Sequence, residues 1–178
     1  MTDSSSDNHK PLASIHQECM AFIDRHQTVI LATVSPSKEP ESSYAPVMKI
    51  DNRFYVYLSE LAAHTQNLME TPKASLLFIE SEENTENLFA RKRVSIKATA
   101  TEIRRQSEAW QTIMDRFEQK FGDIIQMLKP LEDFHLFELA PSSGNYVRGF
   151  AQAYQLTGED FSDVRHRNER GHGQSQTD

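Results

Sequence analysis

The stretch TVILATVSPSKEPESSYAPVMKIDNRFYVYL, residues 28–58, decides the fold class. It opens with a β-branched run, TVILATVS, and continues into PSKEP, a turn with prolines, which is typical of a strand that runs into a loop. SSYAPVMKI and RFYVYL then flank Asp51 and Asn52, which predicts a β-hairpin. Pro46 lacks the N–H that a central strand needs, so the first of these two segments is an edge or bulged strand.

The rest of the chain alternates further strands with three predicted helices. Apolar and polar residues alternate in RKRVSIKATATEI, and FHLFELAP, SSGNYVRGF and AQAYQLTG follow as strands around a glycine turn. The acidic segment SEENTENLFA is typical of a solvated loop. The first predicted helix starts at a capping box formed by Ser14 and Gln17. The second runs from Ser59 to Thr71, and the third runs from about Ser107 to Phe121 and ends before Gly122. Mainly antiparallel strands with inserted helices predict a small barrel.

Composition restricts the class of protein further. A chain of 178 residues fits one domain, and its single cysteine, Cys19, excludes a disulfide framework. The formal net charge of −7 argues against broad binding to nucleic acid or to anionic membranes. With no basic, apolar leader and no long apolar run, we expect a cytoplasmic protein. The predicted organisation is a disordered leader (1–12), a barrel domain (13–158) and a flexible C-terminal arm (159–178).

His172 stands out in the arm because it lies between Gly171 and Gly173. A polar, glycine-flanked chain end normally lacks fixed structure, so this histidine is either a bystander or a ligand that a mobile arm brings to a bound metal.

The order of the segments resembles the split β-barrel of the pyridoxamine 5'-phosphate oxidase superfamily and, within it, the heme-utilization proteins of the HutZ/HugZ type. The motifs that carry the resemblance are LATVS, SSYAPV, LAAHTQNL, LFARKR, KFGDII, LEDFHLFEL, FAQAYQLTG and the terminal GHG. The resemblance implies a homodimer that binds heme at the subunit interface, opens the ring with dioxygen and releases iron. It also implies an electron donor, which the sequence does not identify.

The same resemblance suggests roles for individual residues. It implies that His172 is the axial iron ligand, that Asp133 is its carboxylate partner and that Arg93 faces the heme. His64 is a further candidate heme contact, although a histidine beside Ala63 on a short helix commonly just bonds to its neighbours. The tail is one residue longer than is usual for the family, so His166 is an alternative axial ligand.

These residue types suit heme chemistry. A neutral imidazole is a common axial ligand, and a carboxylate that accepts its second N–H fixes the tautomer and makes the ligand more basic. Arg93 offers donors that stay charged at any working pH, either to dioxygen or to a heme carboxylate.

Two other functions compete with heme degradation. One is an FMN-dependent oxidoreductase, because many split barrels bind flavin. However, the region between Ser42 and Glu70 offers only Lys49, Arg53 and His64 to a flavin phosphate. The other is a heme carrier without turnover, which would use the same residues as the oxygenase.

Overall fold

The computed structural model describes residues 11–167, which form one continuous antiparallel sheet with helices packed on it. The helices are α1 (Leu12–Asp24), α2 (Ala63–Glu70), α3 (Glu108–Phe121) and α4 (Asp123–Leu128). The strands are β1 (Thr28–Val34), β2 (Pro40–Pro46), β3 (Met48–Ile50), β4 (Arg53–Ser59), β5 (Lys73–Ile79), β6 (Arg93–Ile103), β7 (Phe134–Gly149), β8 (Gln152–Thr157) and β9 (Asp163–His166). No helix in this part of the chain is both long and apolar enough to cross a membrane.

Strand β7 organises the sheet. The strand order is β2-β1-β5-β6-β7-β4-β3; β8 branches from β7, and β9 pairs with the other edge of β8. The first part of β7, Phe134 to Leu139, pairs with β4, whereas Gly144 to Gly149 pairs with β8. Strand β7 therefore belongs to both halves of the sheet. This topology confirms the prediction of a mainly β split barrel. The sequence pattern had divided this strand in two, at the segment that follows Pro141.

Gly144 lies in β7 at the point where β8 packs closely against it. A Cβ on this residue would lie 3.3 Å from the Leu156 side chain, closer than a Cβ normally approaches a neighbour. Leu156 itself is fully buried in the barrel core, so the absence of a side chain at Gly144 lets β8 pack tightly on β7.

Apolar side chains fill two separate cores. The barrel interior is lined by residues of β1, β4, β5, β6 and β7, and α1 covers one end of it with Ile15, Cys19 and Phe22. The second core lies under α3, where Trp110 and Phe117 pack against the outer face of β4. Both aromatic side chains are buried there. Helix α3 starts where the sequence predicted, and Ser107 caps it, since the Ser107 hydroxyl accepts a hydrogen bond from the Trp110 N–H at 3.2 Å.

Two predicted helix starts were wrong. The cap of α1 is Pro11, and the Ser14 hydroxyl donates back to the Pro11 carbonyl instead of forming a capping box. Helix α2 begins at Ala63, because β4 extends through Ser59 and the ladder with β7 holds that residue in an extended conformation. The predicted hairpin at Asp51 is confirmed, and so is the placement of Pro46 on an edge strand. Helix α4 had no counterpart in the prediction.

The folded domain extends past the predicted boundary at residue 158. Phe161 is fully buried and Val164 nearly so, and β9 pairs with β8 from Thr157↔Asp163 to Tyr154↔His166. The apolar side chains at 161 and 164 make this part of the predicted arm a strand of the sheet, because their burial offsets the entropy lost on ordering it.

Candidate functional site

Asp133 lies at the end of the sheet where β4 stops and β7 starts. Its Oδ2 accepts a hydrogen bond from the Ser59 hydroxyl at 2.8 Å, and its main-chain carbonyl accepts from the Glu60 N–H at 2.8 Å. The Ser59 hydroxyl accepts in turn from the Leu61 N–H at 3.2 Å. Among residues 11–167, nothing bonds to Oδ1 of Asp133. One carboxylate oxygen is thus fixed by the last residue of β4, and the other can accept a hydrogen bond from a further donor.

His64 lies on α2, close to the same end of the sheet. Its Nδ1 is 2.7 Å from the Ser43 hydroxyl, which itself donates to the Leu31 carbonyl at 3.2 Å. Because the hydroxyl has one proton, the ring proton of neutral His64 belongs on Nδ1. Burial lowers the pKa of His64, and the nearby Glu41 carboxylate only partly opposes this. The structure thus gives His64 a packing role between α2 and β2; contact with heme stays a prediction.

Arg93 starts β6 in the LFARKR motif. Its guanidinium donates to the Arg91 carbonyl at 2.8 Å. Arg91 pairs with Glu82 and Lys92 pairs with Glu18, whereas no carboxylate within the described residues pairs with Arg93. The cation that the resemblance singled out is therefore the one in this motif that no carboxylate of the described chain neutralises.

Large apolar side chains lie exposed at the Arg93 end. Phe89 is 94 % exposed and Phe150 is 72 % exposed. Phe89 precedes Arg93 in the same motif, and Phe150 follows the end of β7, to which Arg93 pairs through Val147. An exposed aromatic surface beside an unneutralised cation suits a flat, apolar ligand that carries carboxylates.

Arg93 and Asp133 lie at opposite ends of one strand pair. Arg93 is opposite Val147, and ten residues further along β6 Ile103 is opposite Leu136, close to Asp133. Ten residues of strand span roughly 30 Å. A single subunit therefore does not bring these two predicted site residues together.

Of the two candidate axial ligands, His166 lies within the described residues and His172 does not. His166 is the last residue of β9, and its ring packs edge-on against Tyr154 with 4.8 Å between ring centroids. His172 lies outside the described residues. The main chain at Arg167 donates to the Ala153 carbonyl, and Ala153 pairs with Val147. The described chain therefore ends at the Arg93 end of the sheet, five residues before His172.

A bridged histidine, His135, was missed by the sequence analysis. Its Nδ1 is 2.6 Å from Glu102 Oε1, its Nε2 is 2.5 Å from Glu60 Oε1, and its side chain is 15 % exposed. Burial alone would lower the pKa of His135, but the hydrogen bonds to Glu102 and Glu60 outweigh it and raise that pKa. The partners lie 33 and 75 residues away, so no local pattern marks them.

The structure weakens the flavin alternative. Lys49 is 2.8 Å from Asp24 and Arg53 is 3.4 Å from Glu138. The lysine and the arginine considered for a flavin phosphate are therefore both paired with carboxylates. Cys19 is fully buried, and burial raises the pKa of its thiol to about 12, so it is a neutral thiol at physiological pH. In the described part of the chain, no three His, Cys, Asp or Glu side chains gather into a metal site.

Comparison with known proteins places this fold in a family. Residues 15–148 match the family described as pyridoxamine 5'-phosphate oxidase. The chain belongs to the pyridoxamine 5'-phosphate oxidase family. This family member is 39 % identical over 158 residues to a curated protein named heme oxygenase HutZ, from Vibrio cholerae serotype O1 (strain ATCC 39315 / El Tor Inaba N16961). The match covers 89 % of each chain.

Two solved structures of similar proteins agree with that placement. HutZ from Vibrio cholerae, described there as a heme storage protein, is 37 % identical with a TM-score of 0.68, over 71 % of this chain and 89 % of that one. ChuZ from Campylobacter jejuni is 29 % identical to this chain with a TM-score of 0.80, and the match covers 90 % of this chain and 65 % of ChuZ.

Proposed function

We propose that this protein binds heme and degrades it, opening the porphyrin ring with dioxygen and releasing iron for use by the cell. The observation that carries the proposal is the 39 % identity to a heme oxygenase over 89 % of both chains. The local geometry supports it, because the Arg93 guanidinium offers a cation to the heme carboxylates and the exposed Phe89 offers an aromatic surface to the porphyrin ring. Bound heme would supply the iron at which dioxygen is reduced and the macrocycle that is oxidised.

His172 is the proposed axial ligand, with Asp133 as the acceptor of its second ring N–H. The Oδ1 atom of Asp133 has the capacity for such a bond, while Ser59 holds Oδ2. An N–H held by a carboxylate fixes which nitrogen faces the iron and makes that nitrogen more basic. Protonation of the imidazole competes with ligation, so binding should weaken as pH falls through the histidine range.

Chain geometry favours a site shared by two subunits of a homodimer. His172 is five residues beyond Arg167, and five residues of fully extended chain reach at most about 18 Å. Asp133 lies roughly 30 Å of strand away from the end at which Arg167 leaves the sheet. We therefore propose that the Asp133 that orients His172 belongs to the partner subunit; a dimer with twofold symmetry would form two such sites.

Arg93 is proposed to donate hydrogen bonds into the heme site. Its guanidinium is partly exposed and bonds to a main-chain carbonyl through Nη1. The remaining N–H donors are suited either to dioxygen or to a heme carboxylate, and in both roles arginine stays charged. Reducing equivalents come from a separate electron donor, and a cytoplasmic location fits a chain with one free, buried cysteine.

Absorption spectra of the purified protein test this function against the flavin alternative. Adding hemin should produce a shifted Soret band that survives desalting, whereas added FMN should elute as free flavin. We expect the flavin to fail because carboxylates already pair with Lys49 and Arg53. A flavin spectrum retained after desalting, without a Soret shift on adding hemin, would overturn the proposal.

A further inference from the structure

His135 makes two hydrogen bonds that depend on its charge. An ionised carboxylate only accepts, so simultaneous bonds to Glu102 and Glu60 require a proton on each ring nitrogen. Loss of one proton leaves a ring lone pair facing a carboxylate oxygen, and one of the two bonds must break. The bridge Glu102–His135–Glu60 is therefore complete only in the imidazolium form.

The bridge acts on the loop that holds Asp133. Glu60 follows Ser59, whose hydroxyl binds Asp133 Oδ2, and the Glu60 N–H binds the Asp133 carbonyl. His135 lies two residues after Asp133, in register with Leu58 on β4. Three hydrogen bonds thus join this short loop to the chain around Asp133, and the bond from His135 to Glu60 is the one that depends on charge.

Glu102 orients the imidazole from the neighbouring strand. It lies on β6, one residue before Ile103, which pairs with Leu136. With Nδ1 donating to Glu102, Nε2 points at Glu60. A carboxylate that holds one nitrogen so that the other can act is a known way to fix an imidazole.

We propose that Glu102, His135 and Glu60 are positioning residues that hold the Asp133 carboxylate in the orientation required by the heme ligand. This inference rests on the proposed role of Asp133. The charged groups that face His135 are Glu102 from β6 and Glu60 from the loop after β4, with Asp133 two residues away on its own segment. The bridge is present below the ordinary histidine pKa of about 6.5 and is lost as pH rises through the raised folded-state value.

Hemin titration of single and double variants tests this positioning role. Asp133→Asn should weaken hemin binding by roughly 10- to 100-fold, as expected for the partner of a ligand. His135→Gln should reproduce a part of that loss at pH 6. The double variant should bind no worse than Asp133→Asn alone, because His135 acts through Asp133. His16→Gln is the control, since His16 makes its described bond to the Asp160 carbonyl on a different element.

Heme-free NMR separates this inference from the proposed function. The Glu60 amide signal should titrate with the midpoint of the His135 ring, and this titration should vanish in His135→Gln. Glu102→Gln keeps the imidazole and alters a half-exposed side chain, and it should lower the midpoint of the His135 titration. This variant replaces His135→Gln in the experiment if His135→Gln does not fold. Additive losses in the double variant, or a Glu60 amide that ignores His135, would overturn the positioning role. Failure of wild type to bind hemin would instead overturn the proposed function.

Discussion

Replacing His172 by alanine should remove the axial ligand and weaken hemin binding by more than about 100-fold, a larger loss than is typical for a ligand's hydrogen-bonding partner. The Soret band of any remaining complex should lose the features of histidine ligation. Both effects follow from the proposed role of His172, because alanine has no nitrogen that can bind the iron. The measurement is a hemin titration followed by absorbance, with wild type alongside.

His166→Ala is the matched comparison for that result. The His166 ring packs edge-on against Tyr154 at the end of β9, so its removal should cost packing but leave the Soret spectrum close to that of wild type. The opposite outcome, with an unchanged spectrum for His172→Ala and a lost one for His166→Ala, would reassign the axial ligand to His166.

Mixed dimers should reveal that each heme site takes residues from both subunits. When a His172→Ala subunit pairs with an Asp133→Asn subunit, both substitutions fall in one of the two shared sites. The other site then contains the wild-type His172 and Asp133. Such heterodimers should bind hemin tightly at one site and recover about half of the wild-type turnover. They can be isolated with two different affinity tags, and each parent homodimer should show the full defect.

The reciprocal pairing supplies the control for this experiment. A wild-type subunit paired with a subunit that carries both substitutions has one substitution in each site, so neither site should be intact. If His172 and Asp133 of one subunit served the same heme, the two results would be exchanged. Recovery only in this second heterodimer would refute the shared site.

The strand pattern of the sequence predicted most of the sheet because the pattern is local. Alternation in β6 and the β-branched run of β1 report directly on which face is buried. The ends of elements were less well predicted, since distant contacts determine them. Ser59 resembles a helix cap in sequence, but pairing with Phe134 keeps it in β4 and directs its hydroxyl to Asp133.

In the candidate site, too, local motifs identify single residues, whereas their arrangement depends on contacts between distant parts of the chain. LFARKR and LEDFHLFEL draw attention to Arg93 and Asp133 as single residues, but the register of β6 and β7 is needed to see that the two lie at opposite ends. The bridge at His135 joins residues from three separate segments, so only the folded chain brings its charges together. The separation of Arg93 from Asp133 is the observation that leads us to propose a site shared by two subunits.

Turnover of bound heme tests the central claim most directly. Heme-loaded wild type, mixed with ascorbate in air and with catalase present to remove free peroxide, should lose its Soret band. The iron released should appear as a coloured complex with a ferrous chelator, in an amount that matches the heme consumed. A Soret band that persists without iron release, at pH values on both sides of the histidine range, would contradict the account and leave the protein as a heme carrier.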